Sequence, residues 1–427
     1  MRKFKTISLL NVTKFKEKLL SWSQKYDEVF WLDSNADTKN FNQNYSSFDT
    51  VLAVNANRKL QCDCKDAFQK LKTFRSEIND YTFGYLGYDL KNDIENLKSK
   101  NFDGLKFSDM YFFQPKKIFF LKGNKLNISY LSKYEYEIDN DLKDIQNIDV
   151  DYHNISTKII IQQRISKKNY IKKLVNILDH IQRGDIYEVN FCQEFYAEKT
   201  TINPLKVYSD LNKISSPPFA TFLKIKDKFL LSASPERFLK RQGVKVISQP
   251  IKGTARRLKD LKKDKELAQK LSEDPKERAE NIMIVDLVRN DLSKTAINDS
   301  VIVEELCKVY TFQQVHQLIS TVVSKVSDTT DSVDIIKSLF PMGSMTGAPK
   351  ISAMNIIEEH EETKRGLYSG AVGYFNPEGD FDFNVVIRSI LYNQTNKYIS
   401  FSVGGAITSQ SIIENEYNEC MIKANAM

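Results

Sequence analysis

The strongest constraint on this chain is a pattern: short apolar, strand-length runs recur along it, interrupted by single amphipathic helices rather than alternating with them one for one. That order predicts an α+β fold with largely antiparallel sheets. The clearest helix signal opens at Ser166, a good N-cap. Tyr170, Leu174, Ile177, Leu178 and Ile181 follow at helical spacing, and Gly184 provides a left-handed C-terminal cap. Strands are expected at 28–32, 117–121, 186–196, 219–225, 229–233, 244–248, 370–375, 383–391 and 398–403. Further helices are expected at 261–271, 276–288, 333–339, 350–360 and 412–427. The acidic stretch 134–153 shows no clear apolar stripe and reads as a linker, which splits the chain into residues 1–150 and 151–427.

With 427 residues the chain can bury a large core without disulfides or structural metals. Its charge of +7 comes from Lys and Arg spread along the sequence, with no clustered patch or motif for nucleic acid. No run approaches the ~18 apolar residues of a membrane span. The five cysteines are scattered, and the close pair Cys62 and Cys64 has no second pair to complete a zinc site. Free thiols in a reducing compartment and the lack of a signal-peptide core give an expectation of a cytoplasmic protein.

Six groups of residues invite chemical readings. Glu277 and Glu280 share one face of a predicted helix, and Glu416 and Glu419 share one face of another. Two such pairs facing each other would suit magnesium, although solvated acidic faces look the same in sequence. The segment 341–350 packs two Gly, two Pro, Ser344 and Thr346 ahead of a helix, as an anion site or as a plain tight turn. Gly404, Gly405 and Ala406 form a second small-residue segment, open either to backbone–carboxylate contact or to a bulged strand end. Lys252 lies between apolar and small residues, where partial burial would depress its pKa and free a nucleophilic amine; the alternative is a surface lysine. Glu236 follows a strand that reads as buried. It suits a general acid of raised proton affinity, or a salt bridge with Arg237. His316, one of four histidines, reads as a catalyst or as a hydrogen-bonded core residue.

Taken together, these segments resemble the chorismate-utilising enzymes, and within them the aminodeoxychorismate branch. The resemblance rests on GDIYEVN at 184–190, SASPERF at 232–238, PIKGT at 250–254, AEN at 279–281 with VDLVRND at 285–291, GSMTGAPK at 343–350, RGLYSGAVGY at 365–374 and the stretch 404–419. They occur in the family's order and cover roughly residues 160 to 427. The N-terminal region resembles the family only through LDS at 32–34 and GYLGYDL at 84–90.

The resemblance implies antiparallel sheets packed face to face with helices outside, an N-terminal region of anthranilate synthase component I type and a chorismate-binding catalytic domain. It implies Glu280 and Glu419 as direct magnesium ligands, with Glu277 and Glu416 holding the ion through water. Tyr368 and Arg388 would grip the enolpyruvyl carboxylate, while Ser344, Thr346 and the amides of Gly404, Gly405 and Ala406 would hold the remaining carboxylate oxygens. Lys252, Glu236 and His316 are the implied catalytic residues. Lys at 252 marks the aminodeoxychorismate branch; the anthranilate branch typically has Ala there.

The implied reaction is amination of chorismate at C4, with ammonia from a separate glutamine amidotransferase subunit and a separate aminodeoxychorismate lyase acting on the product. Anthranilate synthase component I is the alternative. Two departures stand out: the family's run of three small residues often ends in Gly where this chain has Ala406, and the family usually has Gln or Lys where this chain has Glu188. The absence of that Lys argues against isochorismate and salicylate synthesis.

Overall fold

The computed structural model describes residues 1–36, 45–150, 159–425 and 427. Local signals work where they are strong. Ser166 accepts from the Asn169 N–H and caps the helix Lys167–Arg183, which buries Tyr170, Leu174 and Ile177. Gly184 ends that helix at φ +85, a conformation that costs glycine nothing. The helix expected at 350–360 is Lys350–His360, and that expected at 276–288 is Pro275–Ser293, opened by the Asp274 carboxylate accepting from the N–H groups of Lys276 and Glu277.

The stretch read as a linker is corrected. Residues Ile138–Asn147 form a helix, and Ile138, Leu142 and Ile145 are its buried stripe. Seven of its ten residues are polar or charged, which hid a stripe only one residue wide. Residues 151–158, where the expected boundary falls, lie outside the described residues.

All ladders between the described strands are antiparallel, and they join into one connected network of 20 strands. Two apolar clusters fill it, and each draws residues from before 150 and after 159. Strands from the first 150 residues pair directly with later ones: Glu28–Asp33 with Phe219–Ile225, and Thr82–Leu86 with Ala371–Phe375.

The order of pairing positions the site. From Glu188–Ala197, which the short strands Gln162–Gln163 and Gly347–Ala348 flank, the ladders run through Tyr398–Thr408, Ser389–Asn393, Lys228–Ser234, Phe219–Ile225, Glu28–Asp33, Thr50–Cys62 and Met110–Lys122. They continue through Thr82–Leu86, Ala371–Phe375, Phe381–Val385, Arg237–Gln242, Lys245–Gln249 and Val315–Lys325 to Ile251–Arg256 at the other end. The strands carrying Glu188 and Lys252 are thus far apart in the ladder order.

The strand expected at 383–391 is in fact two, Phe381–Val385 and Ser389–Asn393, separated at 386–388 with Arg388 at φ +49. Beside it, Ser234 to Arg237 makes a matching switch between Lys228–Ser234 and Arg237–Gln242. The Ser234 hydroxyl donates to the Val385 carbonyl at 2.6 Å, and the Val385 N–H donates to the Glu236 carbonyl at 3.0 Å. Two neighbouring strands therefore turn the same corner together.

Candidate active site

Glu236 and Arg388 both sit at that corner. Glu236 is buried, and the Ser344 hydroxyl donates to its Oε1 at 2.6 Å. Burial pushes its carboxyl up to about 7, although Ser344, Lys252 and Arg388 pull the other way. This agrees with the expected raised proton affinity. The bland alternative fails: Arg237 pairs instead with Asp382 at 3.0 Å. The Arg388 side chain is accessible, yet enough protein surrounds it that desolvation lowers its proton affinity, with Glu236 opposing. An accessible guanidinium at a strand break can pair bidentately with a carboxylate.

Lys252 lies where the ladder between Ile251–Arg256 and Val315–Lys325 slips register, between Ile251 and Thr254. Gly253 at φ +86 completes the irregularity. Such a bulge re-aims one side chain out of the pleat, here the lysine. Its Nζ donates to Glu188 Oε1 at 2.7 Å, with 11% of the lysine side chain and 2% of the glutamate side chain exposed.

The expectation of a depressed lysine pKa is corrected. Burial does work against the charge, but the Glu188 carboxylate, with Glu280 and Glu236 behind it, outweighs burial and raises the proton affinity above the ordinary lysine value. The sequence reading counted burial and left out the counter-charge.

The acidic pairs lie on helices Pro275–Ser293 and Ile413–Asn425. Burial, then Asp274, raises the proton affinity of Glu277, and Glu419 on the other helix adds to it. Burial pushes Glu280 up to about 7 despite Lys252. Burial also raises Glu416, with Glu419 contributing. Glu419 itself is held down, because its Lys423 partner at 2.7 Å outweighs its burial.

Among the described residues, no three acidic, His or Cys side chains stand close enough to form a ready metal cage. The donor chemistry nonetheless fits a hard divalent cation: Glu419 on one helix adds to the raised proton affinity of Glu277 on the other, and a cation would relieve that repulsion.

The remaining expected residues divide. Tyr368 is buried with its hydroxyl 3.6 Å from Cys192 Sγ. The Thr346 hydroxyl donates within its own loop, to the carbonyls of Met342 and Gly343, and the Ser344 proton goes to Glu236. Both hydroxyls therefore shape the loop and the acid. Gly404, Gly405 and Ala406 lie inside the strand Tyr398–Thr408, opposite Cys192, Phe191 and Asn190. Added at Gly404, a Cβ would run into Cys192 Sγ and come within 2.8 Å of the Phe191 carbonyl, so the ladder requires glycine there.

His316 is buried with both ring nitrogens engaged, 2.9 Å from Thr311 Oγ1 and 3.0 Å from Asp264 Oδ1. In this arrangement it anchors helix Leu261–Glu273 to the sheet.

Sequence reasoning missed one element of the scaffold. Arg365 and Glu361 form a buried pair at 2.6 Å. Arg365 also donates to the carbonyls of Met345 and Asn190, while Glu361 accepts from the Cys192 N–H. The pair thus ties the 343–346 loop to the strand that carries Glu188. Its i,i+4 spacing was the available signal, but that spacing is also common on solvated helices.

A family model described as chorismate binding enzyme matches residues 22–427. Aminodeoxychorismate synthase component 1 of Salmonella typhimurium is 39% identical over 264 residues, which cover 62% of this chain and 58% of that protein. The chain thus spans under two thirds of that relative's length. The Bacillus subtilis protein of the same name is 30% identical over 376 residues, covering 83% of this chain and 79% of the relative. The crystal structure of anthranilate synthase component I from Streptococcus pneumoniae superposes with a TM-score of 0.79 at 26% identity, covering 88% of this chain and 91% of that one. With a family model matching nearly its whole length, residues 22–427, the chain belongs to the chorismate-binding enzyme family.

Proposed function

We propose that this protein aminates chorismate at C4 to give 4-amino-4-deoxychorismate, using magnesium and ammonia delivered by a separate glutamine amidotransferase subunit. The observation that carries this reading is the Lys252 amine, withdrawn from solvent, ion-paired to Glu188 and within electrostatic reach of the Glu236 carboxyl. An amine and a protonated acid that feel each other's charge can add to a ring and discharge its hydroxyl in the same event. The names and identities of the relatives support the same branch.

Lys252 forms a bond to C2 as the ring double bonds shift and the C4–O bond breaks. The Glu236 proton goes to the departing oxygen, which leaves as water. Ammonia then bonds to C4 and the C2–nitrogen bond breaks, returning the lysine. Pyruvate stays on the ring, so 4-aminobenzoate requires a separate aminodeoxychorismate lyase. Arg388 and Tyr368 hold the enolpyruvyl carboxylate. Glu280 and Glu419 would bind magnesium directly, and Glu277 and Glu416 through water. The ion would supply positive charge for the ring carboxylate and polarise the C4 hydroxyl.

Incubation with chorismate, magnesium and ammonium salt, with and without added lyase, tests the reading. Lyase-dependent 4-aminobenzoate supports it. Anthranilate formed without lyase would instead assign the alternative, anthranilate synthase component I, which the Streptococcus neighbour keeps in view.

A further inference from the structure

We propose that Glu188 is the proton acceptor of Lys252: it takes the ammonium proton before the amine attacks C2 and gives it back when the amine leaves. This rests on the covalent route above and adds a residue to it.

The geometry carries the argument. An ammonium has no lone pair, so Lys252 must lose a proton before it can add to carbon. Glu188 Oε1 lies 2.7 Å from Nζ, and among the described residues it is the lysine's one ion-pair partner. The carboxylate is buried, and its second oxygen, Oε2, is buried with no hydrogen-bond partner among the described residues. A structural ion pair would be expected to satisfy both oxygens. The unsatisfied oxygen sets Glu188 apart from a purely structural partner.

Transfer along the 2.7 Å bond turns an ammonium–carboxylate pair into an amine–acid pair with no net charge change. A low-dielectric cavity therefore does not oppose it. The other charged groups facing the amine are Glu236 at the corner, Glu280 and Glu277 on one acidic helix and Glu419 on the other. None of these makes an ion pair with Lys252 among the described residues.

The protons balance. Lys252 ammonium and Glu188 carboxylate become amine and acid. The amine forms the C2–nitrogen bond as the C4–oxygen bond breaks, and the adduct nitrogen carries the positive charge that balances the Glu236 carboxylate. Ammonia attack moves that charge to the new C4 ammonium and releases neutral Lys252, which recovers its proton from Glu188. The C4 ammonium gives up a proton that reloads Glu236.

The test compares wild type, Glu188→Gln, Glu188→Asp and Lys252→Ala from pH 5.5 to 9, at a fixed concentration of free ammonia. In wild type the proton moves only within the pair, so the extent of transfer does not depend on pH and Lys252 adds no acid limb to kcat/KM. Glu188→Gln keeps a hydrogen-bond acceptor but cannot take the proton. Its rate should gain an acid limb, rising about tenfold per pH unit below the lysine's own pKa. Glu188→Asp should restore the wild-type profile shape at a lower rate.

A second readout needs no turnover: the pH midpoint for labelling Lys252 with an amine-selective reagent, read by mass spectrometry, should move down in Glu188→Gln. Superimposable kcat/KM profiles of Glu188→Gln and wild type would overturn the proposal, and so would an unmoved labelling midpoint. If Lys252→Ala kept the wild-type rate, the covalent route would fall and the proton transfer with it. An inactive Lys252→Ala beside an unaltered Glu188→Gln profile would remove the Glu188 role alone.

Discussion

Replacing Glu236 with Gln separates what this carboxyl does for catalysis from what its burial costs the fold. Gln preserves size and an acceptor for the Ser344 hydroxyl at 2.6 Å, but it cannot ionise. In the wild-type protein burial moves this group from an ordinary 4.5 up to about 7. A raised folded-state value favours folding fully below the ordinary value and loses that contribution as pH rises through 7. The difference of about 2.5 units corresponds to roughly 3 kcal/mol. Between pH 5 and pH 8, wild type should therefore lose about 2–3 kcal/mol more unfolding free energy than Glu236→Gln. Glu280, also pushed to about 7, titrates in both proteins and cancels in the comparison. Urea unfolding at the two pH values, with reversibility checked, measures the difference. The same variant should lose about 10²–10⁴-fold in kcat if the carboxyl delivers the leaving-group proton. Parallel stability curves across that pH range would refute the burial argument. Retained kcat would refute the acid role.

Magnesium binding requires ionised carboxylates, so below pH 7 it should release protons, chiefly from Glu280, and affinity should rise with pH up to about 7. Calorimetry in two buffers of different ionisation enthalpy reads that release, and Glu280→Gln should abolish most of it. Gly404→Ala should destabilise by about 1–3 kcal/mol, because its Cβ meets Cys192 Sγ and the Phe191 carbonyl in the ladder that carries Glu188. A thermal-unfolding comparison decides this, and an unchanged midpoint would show that the two strands part easily there.

Elements whose signals are local were legible in the sequence. The helix Lys167–Arg183 was bounded by its Ser166 cap and its Gly184 stop. The helix Lys350–His360 stood where it was expected, directly behind the Gly- and Pro-containing segment 341–349. The helix Ile138–Asn147 was missed because three apolar residues among charges make a faint stripe until something packs on it. The break at 386–388 was missed because Val385, Val386 and Ile387 before Arg388 and Ile390 and Leu391 after it read as one apolar run.

The sequence alone settled which residue types are present and in what order: the acidic pairs at helical spacing, the lone lysine among small residues, and the acid just beyond a buried strand. These follow from local periodicity and motif. Only the tertiary structure decided what each side chain feels. The sheet folds back on itself so that strands from far apart in the pairing order bring Glu188 to 2.7 Å from Lys252, which raises the lysine's proton affinity where burial alone would have lowered it. Electrostatic environment depends on distance in space, and a linear sequence carries no measure of that.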